Sequence, residues 1–189
     1  MPHVFDPKKA HILDSEWRRK VFPPDKVIRF IESIEGLKKN VVFDIGAGTG
    51  YLTIPLAKIF KKVYAVEISL EMAEILRKRL EYEKVPNVGI IITDEPPEID
   101  FSVDLVLFSN VLHEMENPTD YLSWSKRADF VVVAEWKKEE MPFGPSLEER
   151  ISIKELENMC NLNNLKLVKV EELPYHYLAA FKSEKEKII

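Results

Sequence analysis

Glutamine is absent from the 189 residues, and cysteine occurs once, at Cys160. A single thiol excludes an intrachain disulfide and any cysteine-based metal cluster. Its place in an apolar helical pattern predicts a core residue. No stretch of ~18 apolar residues and no signal-peptide pattern occurs, which points to a soluble, cytoplasmic chain. No repeat or low-complexity segment interrupts the sequence, so its length fits one domain of the usual ~100–200 residues. Glycine is scarce as well: there are six, and three crowd into Gly46, Gly48 and Gly50.

Charge is plentiful. Charged residues make up 31% of the chain, above the ~25% norm. With glutamine missing and Glu and Lys abundant, this composition implies a thermophilic source. The formal net charge of −5 argues against a nucleic-acid substrate, which would call for a basic face. Residues 1–29 do carry seven Lys/Arg against four acids; a solvated helix face explains that better than a phosphate-binding arm.

The glycine cluster organises the chain. Val41-Val42-Phe43-Asp44-Ile45 has the apolar continuity of a fully buried parallel strand. The glycines break it, and apolar residues from Tyr51 to Phe60 then recur at helical spacing. Strand, glycine turn and helix bring backbone close to a ligand. A dinucleotide fingerprint needs a third glycine three residues after the second, where this chain has Tyr51, and no Lys-Ser/Thr pair forms a Walker loop. A carboxylate before a tight glycine turn suits a ligand bearing an ammonium group, which Asp44 can receive directly or through water.

Asp44 to Gly50 resembles motif I of the class I S-adenosylmethionine-dependent methyltransferases. Further landmarks agree: Val63–Glu67 is a second strand ending in an acid able to accept both ribose hydroxyls, and Asn87–Thr93 is a third, closed by Asp94. Asp104–Asn110 followed by Val111-Leu112-His113-Glu114 is similar to the family's fourth strand and the loop bordering cofactor and acceptor. The resemblance covers residues 40–137 well. It implies a three-layer, Rossmann-like α/β fold: a seven-stranded, mostly parallel sheet with an antiparallel last strand and an N-terminal helical extension. The whole chain is then one domain, with residues 1–36 as a helical cap or lid, 40–182 as the cofactor-binding core and 183–189 as a polar tail. It implies S-adenosyl-L-methionine as cofactor and S-adenosyl-L-homocysteine as product. The contacts it implies are Asp44, Gly46, Ala47, Gly48, Gly50, Tyr51, Glu67, Ile68, Met72, Asp94, Asn110 and Val111.

The helices expected are one capped by Asp14 or Ser15, one opened by Pro24, Leu70–Glu83 with a Glu74–Lys78 pair, one capped by Asn117, and one begun by the Ser152–Glu155 capping box. Only nine or so residues, two of them proline, join strands three and four, so the usual crossover helix is expected to be absent or a single turn.

Methyl transfer needs alignment and water exclusion first, and a base only when the acceptor carries a proton. His113 is the candidate for a base or an acceptor-orienting group, with bracing of the loop or of the cofactor edge as its alternative role. Candidates on the acceptor side are His3, Phe5, Glu114, Trp136 and His176, with Tyr175 and Tyr177 as further possibilities; His3, Phe5 and Trp17 are candidates for a lid, and Glu114 and Glu135 are further candidates for the base. The motif by which amino-methylating DNA enzymes grip a base is missing after strand four, as are a cytosine-attacking cysteine and a catecholate-type metal set. What remains resembles the small-molecule group near the quinone-biosynthesis methyltransferases. Alternatives are a protein or RNA methyltransferase and a non-catalytic binder of the cofactor or its product.

Overall fold

The computed structural model describes residues 15–184. Two short helices, α1 (Glu16–Val21) and α2 (Pro24–Glu32), lead into β1 (Val41–Ile45), α3 (Thr53–Ala57), β2 (Lys62–Glu67), α4 (Leu70–Tyr82), β3 (Val88–Ile92) and β4 (Val103–Ser109). Then follow a 3-10 turn at Leu112–Glu114, α5 (Pro118–Ser125), β5 (Ala128–Trp136), α6 (Ile153–Asn161), β6 (Leu165–Glu172) and β7 (His176–Ser183). The seven strands form one sheet in the order β3-β2-β1-β4-β5-β7-β6. β7 runs antiparallel to both neighbours, whereas the pairings of β1 with β2 and β4, β2 with β3, and β4 with β5 are parallel.

Alternation along the strands sends successive side chains to opposite faces, and each face has its own helices. Val42, Leu105, Leu107, Val132 and Ala180 meet α2 and α3 on one face, where α4 adds Leu76 and Leu80 over Ala65. Phe43, Val106, Phe108, Val131 and Ala179 meet α5 and α6 on the other. Cys160 is buried there, and burial pushes its thiol up to about 12, as expected for an inert core residue.

No helix joins β3 to β4. A stack of aromatic rings covers the sheet there: Phe43 and Tyr64 lie 4.9 Å apart, Tyr64 and Phe101 5.3 Å apart. Trp124 Nε1 donates to the Pro97 carbonyl at 2.8 Å and ties the proline-rich connection to α5. Asp104 fixes the start of β1 by accepting from the Asn40 and Val41 amides.

Ser15, Ser69 and Ser152 cap α1, α4 and α6 through their side chains, with a complete capping box at Ser152 and Glu155. Asn117 stands at the N-cap position of α5 but makes no side-chain cap bond. Its Nδ2 donates instead to Asp120, because the first-turn carboxylate competes for the side chain. Glu74 pairs with Arg77 rather than Lys78, and α3 is only five residues long. The Asn87 side chain donates to the Ala57 and Phe60 carbonyls and closes that helix.

Candidate active site

Strand order reverses between β1 and β4, and ligands of open α/β sheets sit at that switch, outside the carboxyl ends of the strands. A cavity of about 820 Å³ opens there. Its lining includes Gly46, Ala47, Gly48 and Tyr51 from the glycine turn, Glu67, Ile68 and Met72 after β2, and Asp94 after β3. Asn110, Val111, His113 and Glu114 follow β4, Trp136 ends β5 and His176 starts β7; all of them line the same cavity. Three of the acceptor candidates, Glu114, Trp136 and His176, and most of the cofactor candidates therefore line one space.

Two of the expected cofactor contacts are not in the wall. Asp44 is buried behind it, with Oδ2 accepting from Thr53 Oγ1 at 2.6 Å. Burial, with Glu67 nearby, raises its carboxyl to about 7 despite the Thr53 hydrogen bond and the Arg18 charge. Gly50 packs under the loop instead. At φ +91 a Cβ there would lie 2.4 Å from Leu76 Cδ1, so this glycine lets α4 approach the turn. Tyr175 and Tyr177 do not line the cavity either. Tyr175 packs edge-on to Phe143, and Tyr177 is a core residue donating to the Ile151 carbonyl. His3 and Phe5 lie outside the described residues.

The remaining turn fits a small cationic nucleoside. Gly46 has φ +72, and a Cβ on it would stand 2.4 Å from Val111 Cγ2, so backbone forms the wall where a side chain could not. Glu67 accepts one bond per oxygen, from the Gly48 amide (2.7 Å) and the Ser69 amide (2.9 Å), which fixes the carboxylate at the cavity edge. Each oxygen keeps a further lone pair for a ligand hydroxyl. Thr49 Oγ1, Ser109 Oγ and Asn110 Oδ1 belong to lining residues and are buried with no partner among the described residues. Polar atoms left in this way in a cavity wall mark a polar ligand.

Glu135 is the structural surprise. Loop acids are ordinarily solvated, but this one is the last residue but one of β5 and is 1% exposed. Its Oε1 accepts from the Val111 and Leu112 amides at 3.0 and 2.9 Å, and its Oε2 lies 2.7 Å from His113 Nδ1. One carboxylate thus holds the loop after β4 and orients the imidazole. Burial alone would lower the His113 value, but the Glu135 charge and hydrogen bond, with Glu114 and Glu149 nearby, outweigh it and leave it raised. Glu114 Oε1 lies 3.8 Å from His113 Nε2. Burial, reinforced by Glu135 and Glu67, raises the Glu114 carboxyl to about 7 even though His113 opposes the shift.

His176 lies between Phe22 (4.4 Å) and Trp136 (4.1 Å), fully buried, with neither nitrogen partnered among the described residues. Burial, with Arg18 nearby, pushes it down to about 3, so it is neutral at physiological pH. Its folded value is below the unfolded 6.5, so the stability it contributes is present above pH 6.5 and is lost as pH falls toward 3. Asp44 and Glu114 act with the opposite sign, and comparison with His176→Phe isolates the imidazole. The stability difference between wild type and H176F should move in the variant's favour by on the order of 3 kcal/mol between pH 7 and pH 4, measured by urea unfolding.

Three contributors escaped the sequence pattern. Arg18 of α1 lines the cavity and stacks 4.5 Å over the Tyr51 ring. Thr53 holds Asp44, as described. Arg150, 4% exposed, donates to the carbonyls of Lys137, Glu139, Phe143 and Pro145, and so shapes the loop that brings Gly144, Pro145 and Ser146 to the acceptor side. No local signal announces a guanidinium whose partners are all backbone.

A sheet of this order is shared with solved structures of S-adenosylmethionine-dependent methyltransferases, and part of the chain matches a methyltransferase family. Residues 43–128 match the family described as "Methyltransferase domain". The solved structure of a SAM-dependent methyltransferase from Aquifex aeolicus is 28% identical and superposes with a TM-score of 0.84, covering 94% of this chain and 98% of that one. Magnesium protoporphyrin IX methyltransferase from Synechocystis PCC 6803, solved with bound SAM, shares the fold (18% identity, TM-score 0.68, covering 97% of this chain and 100% of that one). Among curated relatives, the probable ribosomal RNA small subunit methyltransferase A of Thermococcus kodakarensis is 36% identical over 114 residues. The match takes in 58% of this chain and spans only 38% of the relative's length.

Proposed function

We propose that this protein methylates a small organic acceptor, binding S-adenosylmethionine across the glycine turn and the acceptor against Trp136 and Glu114. The observation that supports the reading best is the continuity of the cavity from Gly46 and Glu67 to Trp136 and His176. At about 820 Å³ it has the scale of small-molecule sites, which span ~300–1,000 Å³.

When bound, the cofactor supplies an electrophilic methyl group on a sulfonium centre. Glu67 would hold the ribose hydroxyls, and the Gly46–Gly48 backbone, with Tyr51, would border the methionine end. Arg18, the one Lys or Arg in the described lining, suits the carboxylate there. Ile68, Met72 and Asp94 would flank the adenine, while Asn110 and Val111 close the wall after β4. His113 is the general base. With Nδ1–H donated to Glu135, its Nε2 keeps the lone pair that takes the acceptor's proton.

The curated relatives are named for ribosomal RNA, which raises RNA as a second acceptor class. The described lining opposes it: seven carboxylate side chains accompany one guanidinium, a poor surface for a phosphodiester chain. Incubating the protein with methyl-labelled cofactor and a cell extract tests both readings. Labelled product should pass a small-pore membrane and resist ribonuclease and protease. Label lost only on ribonuclease treatment would replace the small-molecule reading with the RNA one, and the absence of any labelled product would leave only a cofactor-binding role.

A further inference from the structure

The acceptor half of the cavity is built from hydrogen-bond acceptors and aromatic surface. Glu114, with its side chain 25% exposed, and Glu116 stand after β4, with Glu149 opposite on the loop that Arg150 shapes. His176, fully buried and neutral, borders the same space, with both nitrogens unpartnered among the described residues. Trp17 and Trp136 add aromatic surface to the lining. A ligand matched to this wall is rich in N–H donors, positively charged and partly apolar. A hydroxyl acceptor would offer these carboxylates one donor where an ammonium offers up to three, and an anionic one would face Glu114, Glu116 and Glu149.

We infer that the methyl acceptor is a primary or secondary amine on an aromatic or otherwise apolar body, bound as the ammonium ion with Glu114 as its counter-charge. This rests on the small-molecule methyltransferase reading and narrows it. The ammonium gives one proton to the Glu114–His113 pair, and the nitrogen lone pair so released forms the new N–C bond as the carbon–sulfur bond breaks. The sulfur leaves as a neutral thioether, and the positive charge ends on the N-methylammonium product.

Three probes with one body and different heads test this: 2-phenylethylamine, 2-phenylethanol and phenylacetate, each titrated calorimetrically into the protein saturated with S-adenosylhomocysteine. The amine should bind at least tenfold more tightly than the alcohol, and phenylacetate more weakly still. Glu114→Gln should weaken the amine at least tenfold while leaving S-adenosylhomocysteine affinity unchanged. Labelled products from the metabolite extract should be retained by a cation exchanger at neutral pH. Equal affinity for alcohol and amine, no binding by any of the three, or an amine affinity insensitive to E114Q would overturn the inference. Labelled neutral products would also overturn it while leaving the methyltransferase reading intact; failure of S-adenosylhomocysteine to bind would overturn both.

Discussion

Glu135→Gln should lower kcat by roughly 10²–10⁴-fold, the usual worth of a general base, while the protein stays folded and KM for the cofactor barely moves. The expectation follows from the tautomer that Glu135 imposes. A carboxylate only accepts, so it has His113 donate from Nδ1, and the Nε2 lone pair is left for the proposed role of base. The isosteric amide can keep its oxygen on the Val111 and Leu112 amides, but it then presents an NH₂ group to Nδ1. Nδ1 becomes the acceptor and Nε2 carries the proton, which is the wrong form for proton abstraction. Removing the carboxylate's charge also removes the largest influence raising His113. In the wild type, the raised imidazole sets the acid limb: log kcat should climb with pH through a point above the ordinary 6.5, as His113 loses its proton. In E135Q that limb should flatten or move to lower pH. Glu135→Ala is the harsher change. It strands two backbone amides in a closed interior and should cost about 3–5 kcal/mol in stability, measured by denaturant unfolding. Near-normal turnover in E135Q would remove His113 from the base role.

The fold was legible wherever local chemistry and global packing agree. The largely apolar run of β1, the serine caps of α4 and α6 and the proline opening α2 are local signals with one interpretation, and each element stands where those signals put it. The missing helix between β3 and β4 was legible by length alone, since the connection is too short for one. What the sequence concealed was side-chain partnership across the fold. Asp44 belongs to the glycine motif, but whether it faces ligand or Thr53 depends on how α3 begins, and the helical pattern does not encode that. Gly50 sits in the same motif and serves α4 instead. Glu135 and Arg150 show the same limit: each satisfies several backbone groups from segments distant along the chain, and composition marks them only as charged residues near a strand end and in a loop.

Gly46→Ala should weaken S-adenosylmethionine or S-adenosylhomocysteine binding by at least tenfold with a smaller loss of thermal stability, measured by calorimetry and by the melting shift each ligand produces. Two independent costs meet at this residue. Its φ of +72 lies in the left-handed region, where a side chain adds on the order of 1 kcal/mol. The new methyl group would also lie 2.4 Å from Val111 Cγ2 and 2.9 Å from its Cβ, so something must move, and overpacking of this kind costs about 1–3 kcal/mol. Val111 cannot retreat easily, because its amide is held by the buried Glu135. The turn must therefore yield, and it is tied at both ends: the Gly46 and Ala47 amides donate to the Val66 carbonyl, and the Gly48 amide donates to Glu67. Displacing it breaks the register between the backbone that would border the methionine end and the carboxylate that would grip the sugar, so the penalty falls on binding more than on folding. Val111→Ala in the same chain removes the clashing Cγ2 and should restore part of the lost affinity, a rescue expected only if the collision with Val111, rather than a general loosening of the sheet edge, causes the defect.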